Sequence, residues 1–422
     1  MNTEAIQTLQ KLIAIESVAE HGAQGYPYGP GPAKALAFAL DLCESWGFKV
    51  CRKDEYGYAE IGEGEELIGI LSHLDVVPAG EGWTVPPFEG TLAAGPEGMR
   101  LYGRGSIDDK GPTVACLYAM KALSDSGTPI RKRIRLILGQ TEENGDWKDM
   151  EAYREQEELP DYGFTPDGDF PAIYCEKGVM VIRIRMDLAV GGLEEISSGS
   201  AANMVPSAAE VVIAGRKFVG SGSPAHGCAP WGGQNAMDDL IRNAGETEDL
   251  SRIPFLQMYR DLFAGKIYGE GIDCVLEDSE SGKLTVNPGK IRTEEDVITL
   301  WLDIRYPITA DHETIFRKVS GHVHRYGAVA ECVHAMEPVH MDRGGAVMQK
   351  LLEAYYDHTD DRSEPISIGG GTYARAMPGI IAYGPNFPGH ENREHQSDEY
   401  ILVEDFMKLI EIYQDALSRL LG

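Results

Sequence analysis

The sequence contains no closely spaced cysteine pair. Its seven cysteines, Cys43, Cys51, Cys116, Cys175, Cys228, Cys274 and Cys332, are scattered and odd in number. That excludes a disulfide-framed scaffold and a zinc ribbon. It also lacks a long apolar run. The opening MNTEAIQTLQKLIAIES has no basic head, so the expectation is neither a secretory leader nor a membrane span, and a reducing cytoplasm as the compartment. Cations are scarce: 38 Lys and Arg stand against 67 Asp and Glu, a formal charge of -29. Nucleic acid and anionic membranes need a basic patch, which excludes both as expected partners. An acidic surface instead favours solubility and attracts cations, divalent metals included.

What remains is an ordinary globular composition, 43% hydrophobic and 25% charged over 422 residues, enough for two or three domains. Helical periodicity marks residues 4–18 and 32–47. LIGILSHLDVV, residues 67–77, reads as a strand buried on both faces, and RIRLILG, 133–139, as a second. A helix over 113–123 lies between them, opening after Pro112. Strand, helix, strand implies an α/β domain with a largely parallel sheet. The middle is different. Residues 179–188 and 299–305 alternate as half-exposed antiparallel strands, followed by a helix at 312–326 and a strand at 330–334. Helices at 346–358 and 403–421 and a strand at 380–383 restore α/β character. The predicted fold is therefore an α/β domain, residues 1–178 and 339–422, interrupted by a smaller α+β insert at 179–338.

Polar residues at the ends of buried strands are where α/β proteins place their sites. His73 and Asp75 are two apart, so on a strand both point the same way, suiting a carboxylate that orients a ligating imidazole. Asp108 and Asp109 sit in a glycine-flanked loop before a helix. Glu142 and Glu143 follow the RIRLILG strand, Asp167 lies in TPDGD, and His395 precedes the last helix. Alone each is weak, since Asp-Asp pairs commonly mark turns or caps. Together they form a hard-donor set able to hold two divalent ions sharing one carboxylate, with a further carboxylate left as general base.

HLDVVPAGEGW, YGRGSIDDKGPT, TEEN, GFTPDGDFP, PAHGCAPWGGQNA, DIRYP and GGGTYAR, in this order over nearly the whole chain, resemble the M20 metallopeptidase family, and within it the dipeptidase V and carnosinase-related branch. The resemblance implies a zinc-peptidase-like catalytic domain and two divalent metals, zinc first, with manganese or cobalt also fitting. One metal would be held by His73, Asp167 and a bridging Asp108, the other by Glu143, His395 and the same Asp108. The Asp108–Asp109 peptide would be cis. Asp75 would orient His73, and Glu142 would be the general base toward a water between the metals. His226 would stabilise the oxyanion. Arg305, Gly370, Gly371 and Thr372 resemble a clamp for a free carboxylate, Asn203 contacts the scissile region, and Arg375 is a weaker candidate. His390 is the alternative to His395. The implied activity is hydrolysis of short unblocked peptides, with an aminoacylase acting on N-acyl amino acids or a non-catalytic metal scaffold as alternatives. The segment between ANMVP and PAHG is short for the dipeptidase V branch, so monomer or homodimer, and His226 acting in its own or a partner's site, stay open.

Overall fold

The computed structural model describes residues 3–20, 22–23, 25–244 and 253–422. Met1, Asn2, His21, Gln24 and residues 245–252 of the expected domains lie outside the described residues. The chain forms two compact units. The first comprises Met1–Tyr174, Met341–Ile366 and Thr372–Gly422; the second comprises Cys175–His340 and Ser367–Gly371. The short return segment, read from sequence as part of the α/β domain, thus groups with the second unit.

At the centre of the first unit lie strands Leu67–His73, Arg133–Gly139, Tyr162–Thr165 and Ile380–Ala382. Every residue of Leu67–His73 is buried, which explains its continuous apolar character between covered faces. Leu67–His73 pairs in parallel with Arg133–Gly139, matching His73 to Gly139, and with Tyr162–Thr165 on its other side. Ile380–Ala382 extends this parallel set. Strands Gly57–Ile61 and Lys49–Arg52 flank it in antiparallel pairing, so the sheet is mixed, with only its centre parallel. Close approach at that centre needs glycine: a Cβ on Gly163 would lie 1.8 Å from the Gly69 carbonyl oxygen. Helix Lys110–Asp125 is almost wholly buried along its first eleven residues. Among the described residues, no helix is long and apolar enough to cross a membrane.

Two sequence expectations shift. The predicted strand 67–77 stops at His73, because the Leu74 amide takes the last carbonyl of the neighbouring strand, Gly139, and the Val76 amide turns to the Ser17 carbonyl. The predicted helix 4–18 stops at Ile13 for the complementary reason, since the Ser17 hydroxyl donates to the Leu74 carbonyl.

The second unit is a seven-stranded antiparallel sheet centred on Gly178–Asp187 and Val297–Tyr306. Alternation along its strands buries Ile182, Ile184, Ile298, Leu300 and Leu302. Helices Pro254–Leu262 and His312–His324 share this core through Phe255, Met258, Ile315 and Val319. Asp311 caps the latter helix, its carboxylate accepting from the Glu313 and Thr314 amides.

Candidate metal centre

Parallel register brings the carboxyl ends of three central strands of the first unit to one edge. His73 ends its strand, Glu142 and Glu143 follow Gly139 by three and four residues, and Asp167 follows Thr165 by two. Asp108 and Asp109 immediately precede helix Lys110–Asp125. Asp109 is fully buried and fixed by the Ser72 hydroxyl and by the His73 amide at 3.2 Å. The Asp108–Asp109 peptide is cis.

Two donor triads result, His73–Asp108–Asp167 and Asp108–Glu143–His395, each with its ligand atoms within 4.8 Å of one another. Asp108 splits its carboxylate between them. Its Oδ1 lies 3.0 Å from His73 Nε2, and its Oδ2 lies 2.9 Å from His395 Nε2. Asp167 is 3.8 Å from His73 Nε2, and Glu143 is 2.8 Å from His395 Nε2. His395 reaches this place on a left-handed backbone, φ 61°, a conformation non-glycine residues adopt only when surrounding structure enforces it. The rival His390 turns elsewhere and meets Asp405 at 2.8 Å.

His73 Nδ1 lies 3.1 Å from the Asp75 carbonyl oxygen and 3.4 Å from its Oδ1. Asp75 therefore faces the imidazole, although it sits past the strand end and not on it. Its carboxylate also accepts the Glu142 and Glu143 amides at 3.2 and 3.0 Å, tying the two strand ends together.

The electrostatics call for cations. Burial pushes the Glu142 and Asp167 carboxyls well above the usual carboxylate range, with Glu143 and Asp108 adding to the rise at Glu142 and Asp108 at Asp167. Glu143 is raised by burial and then by Asp108. Burial opposes the His73 and His395 imidazoliums, yet the carboxylates outweigh it: His73 is held well above its ordinary value and His395 at about 12. Protons thus balance the clustered acids, and a bound cation would displace them. His73 Nε2 and Glu143 Oε1 are among the buried atoms that make no well-aligned hydrogen bond, although His73 Nε2 faces Asp108 Oδ1 at 3.0 Å. A buried imidazole nitrogen facing hard oxygen donors fits a divalent metal.

Sequence reasoning missed the residues beneath the Glu142 loop. Asp149 is fully buried and accepts from the Thr141 amide at 2.9 Å and the Tyr373 hydroxyl at 2.7 Å. The Trp147 indole donates to the Glu142 carbonyl at 3.1 Å. Glu399, buried against Arg104, accepts the Ile107 amide at 3.1 Å beside Asp108. Only the GRG and SDEY context of Arg104 and Glu399 hinted at such partners. Asp149, in WKDM, resembled a surface helix start.

The remaining predicted residues divide between the units. Thr372, in the first, caps the short helical turn Tyr373–Arg375. Asn203, His226, Arg305, Gly370 and Gly371 belong to the second. There the Gly227 amide donates to the Asn203 carbonyl at 2.7 Å. Arg305 spends Nε and Nη2 on Asp303, at 2.6 and 2.8 Å, while Nη1 donates to the Gly369 carbonyl at 3.0 Å. The guanidinium fork expected to meet a carboxylate therefore already holds one from its own strand.

Comparison with known proteins points to one family. The family model described as peptidase family M20/M25/M40 matches residues 69–419. The provisionally named dipeptidase YtjP of Bacillus subtilis is 36% identical over 460 aligned residues, covering 99% of this chain and 97% of its own. Among solved structures, an M20 family metallo-carboxypeptidase from Sulfolobus solfataricus superposes with TM-score 0.64 at 17% identity, covering 98% of each chain. Human carnosine dipeptidase 1 does so with TM-score 0.63 at 15% identity, covering 99% of this chain and 96% of its own. These two likenesses establish the shared fold.

Proposed function

The chain belongs to peptidase family M20/M25/M40, and from that premise we propose that it is a two-metal dipeptidase hydrolysing short, unblocked peptides. One observation carries the reading: a single carboxylate, Asp108, offers one oxygen to each of two histidine-containing triads. That is how two cations share a bridging ligand. The identity to a protein named as a dipeptidase supports the substrate class. Zinc is the preferred ion, with manganese or cobalt compatible with the nitrogen and oxygen donors. Seven free cysteines support a reducing, cytoplasmic compartment.

His73, Asp108 and Asp167 would hold one ion, and Asp108, Glu143 and His395 the other. When bound, the ions would polarise the scissile carbonyl and acidify water. Asp75 fixes His73 through Nδ1, leaving Nε2 as the ligating atom. Glu142, whose burial favours proton uptake, takes the proton of the attacking water and passes it to the departing amine. His226 donates to the developing oxyanion. Asn203, Gly370, Gly371 and Thr372 receive the carboxylate end of the peptide. Because Asp303 occupies the fork of Arg305, the arginine acts by holding the Gly369 carbonyl and the segment that follows it.

The test is a substrate panel on protein reconstituted with Zn²⁺ or Mn²⁺. Ala-Ala should be cleaved and N-acetylalanine should not; the reverse preference would make the protein an aminoacylase. Glu142→Ala should keep its metal and lose about 10²–10⁴-fold in kcat, the usual worth of a general base. Undiminished turnover in that variant would remove Glu142 from the mechanism.

A further inference from the structure

Next to the proposed oxyanion donor stands a thiol. Cys228 Sγ lies 2.9 Å from His226 Nδ1, and the Cys228 backbone amide donates to the same nitrogen at 3.2 Å. A peptide N–H can only donate, so Nδ1 must present its lone pair, and in the neutral ring the proton then sits on Nε2. Burial pushes the Cys228 thiol above its ordinary range despite the nearby Arg305 guanidinium. The thiol therefore remains S–H and can serve as a second donor to Nδ1. The loop has little freedom to present anything else. Gly227 is tied to Asn203, and a Cβ at Gly227 would lie 2.8 Å from Asp303 Oδ2.

We propose that Cys228 is a positioning residue whose thiol, added to its own backbone amide, makes Nδ1 of His226 a doubly held acceptor and so strengthens Nε2–H as a donor. This rests on His226 acting as the oxyanion donor. Two donors on Nδ1 withdraw electron density from the ring, polarise Nε2–H and strengthen its hydrogen bond to developing negative charge. They also oppose protonation of Nδ1, because an imidazolium would have to abandon the amide contact and reverse the direction of the thiol contact. The thiol thus has a chemical task in the HGCAP motif beyond filling space.

The experiment compares metal-loaded wild type, Cys228→Ala and Cys228→Ser, with imidazole ¹⁵N shifts assigned through His226→Gln. Expected in the wild type is a neutral His226 carrying its proton on Nε2. Cys228→Ala keeps the amide donor, so the Nε2 proton should stay, while the Nδ1 signal should move to that of a less hydrogen-bonded acceptor and the ring should protonate more readily. Its kcat for Ala-Ala should fall about 3- to 10-fold, the worth of one hydrogen bond, at unchanged KM and metal content. Cys228→Ser, which retains an O–H donor, should restore both readouts. An Nδ1-protonated wild type, an alanine variant with wild-type kcat and spectrum, or a serine variant as impaired as alanine would each overturn the proposal. If His226→Gln keeps full kcat, the oxyanion role falls instead, while the ¹⁵N comparison still decides what Cys228 does.

Discussion

Asp75 has two jobs. It faces His73 and accepts the Glu142 and Glu143 amides, so it connects a proposed ligand to the proposed base. Asp75→Asn keeps the size but offers one acceptor oxygen instead of two, leaving one buried amide of the loop poorly satisfied. Its kcat should therefore fall further than its metal content, measured as steady-state kinetics beside elemental analysis. Equal fractional losses would mean that Asp75 acts through His73 alone. Asp108 and His395 make a sharper contrast. His395→Ala removes one ligand of one triad, whereas Asp108→Ala removes a ligand from both. Bound metal should drop by about one ion in the first variant and by about two in the second, as a shared bridging ligand requires. At this scale, residue types and spacing gathered His73, Asp75, Asp108, Asp109, Glu142, Glu143, Asp167 and His395 into one donor set, and the resemblance to the M20 family sorted that set into two triads and a base. They could not expose Asp149, because a buried carboxylate under a loop and a solvated helix-start aspartate have the same local sequence. Nor could they reveal that Asp303 engages Arg305, since two residues apart on a strand is also the spacing of an innocent same-face pair.

At the level of elements, two long amphipathic helices were readable to the residue. Ala346–His358 and Val403–Leu421 occupy the predicted ranges, because periodicity over many turns leaves little choice. The 67–77 run failed at its end for an equally physical cause. Leu74 and Val76 are fully buried, so hydropathy continues while backbone pairing changes partner, a switch that composition does not record. The mixed sheet escaped prediction likewise, since strand direction depends on connections and not on side-chain pattern. The junction after strand Arg133–Gly139 is correspondingly tight. A Cβ on Gly139 would lie 2.2 Å from the Tyr373 hydroxyl and 2.7 Å from Asp149 Oδ2. Gly139→Ala should therefore displace the very pair that supports the Glu142 loop, costing about 1–3 kcal/mol by overpacking. Urea denaturation would read this as a lower midpoint, accompanied by reduced kcat. An unchanged midpoint would show that Tyr373 yields without cost.

For the whole molecule, the formal charge of -29 is mostly surface, and only a handful of the acids form the buried cluster. Chelation should thus act regionally. Removing divalent ions leaves the crowded carboxyls around Asp108 with only protons to offset them and without the bonds that join their loops, and local opening there becomes easier. Hydrogen exchange should accelerate over residues 104–109, 140–145, 165–169 and 392–398, while strand Val297–Tyr306 of the second unit keeps its protection. Uniform acceleration across both units would contradict a locally held metal centre.

The discontinuity of the first unit also sets a timetable for synthesis. Strand Ile380–Ala382 pairs with Tyr162–Thr165, helix Val403–Leu421 packs on helix Lys110–Asp125, and His395 completes a triad begun at Asp108. A ribosome has therefore made the whole second unit before it can supply the pieces that finish the first. The nascent amino-terminal segment must wait with its central sheet open on one side, an exposed edge of the kind chaperones shield.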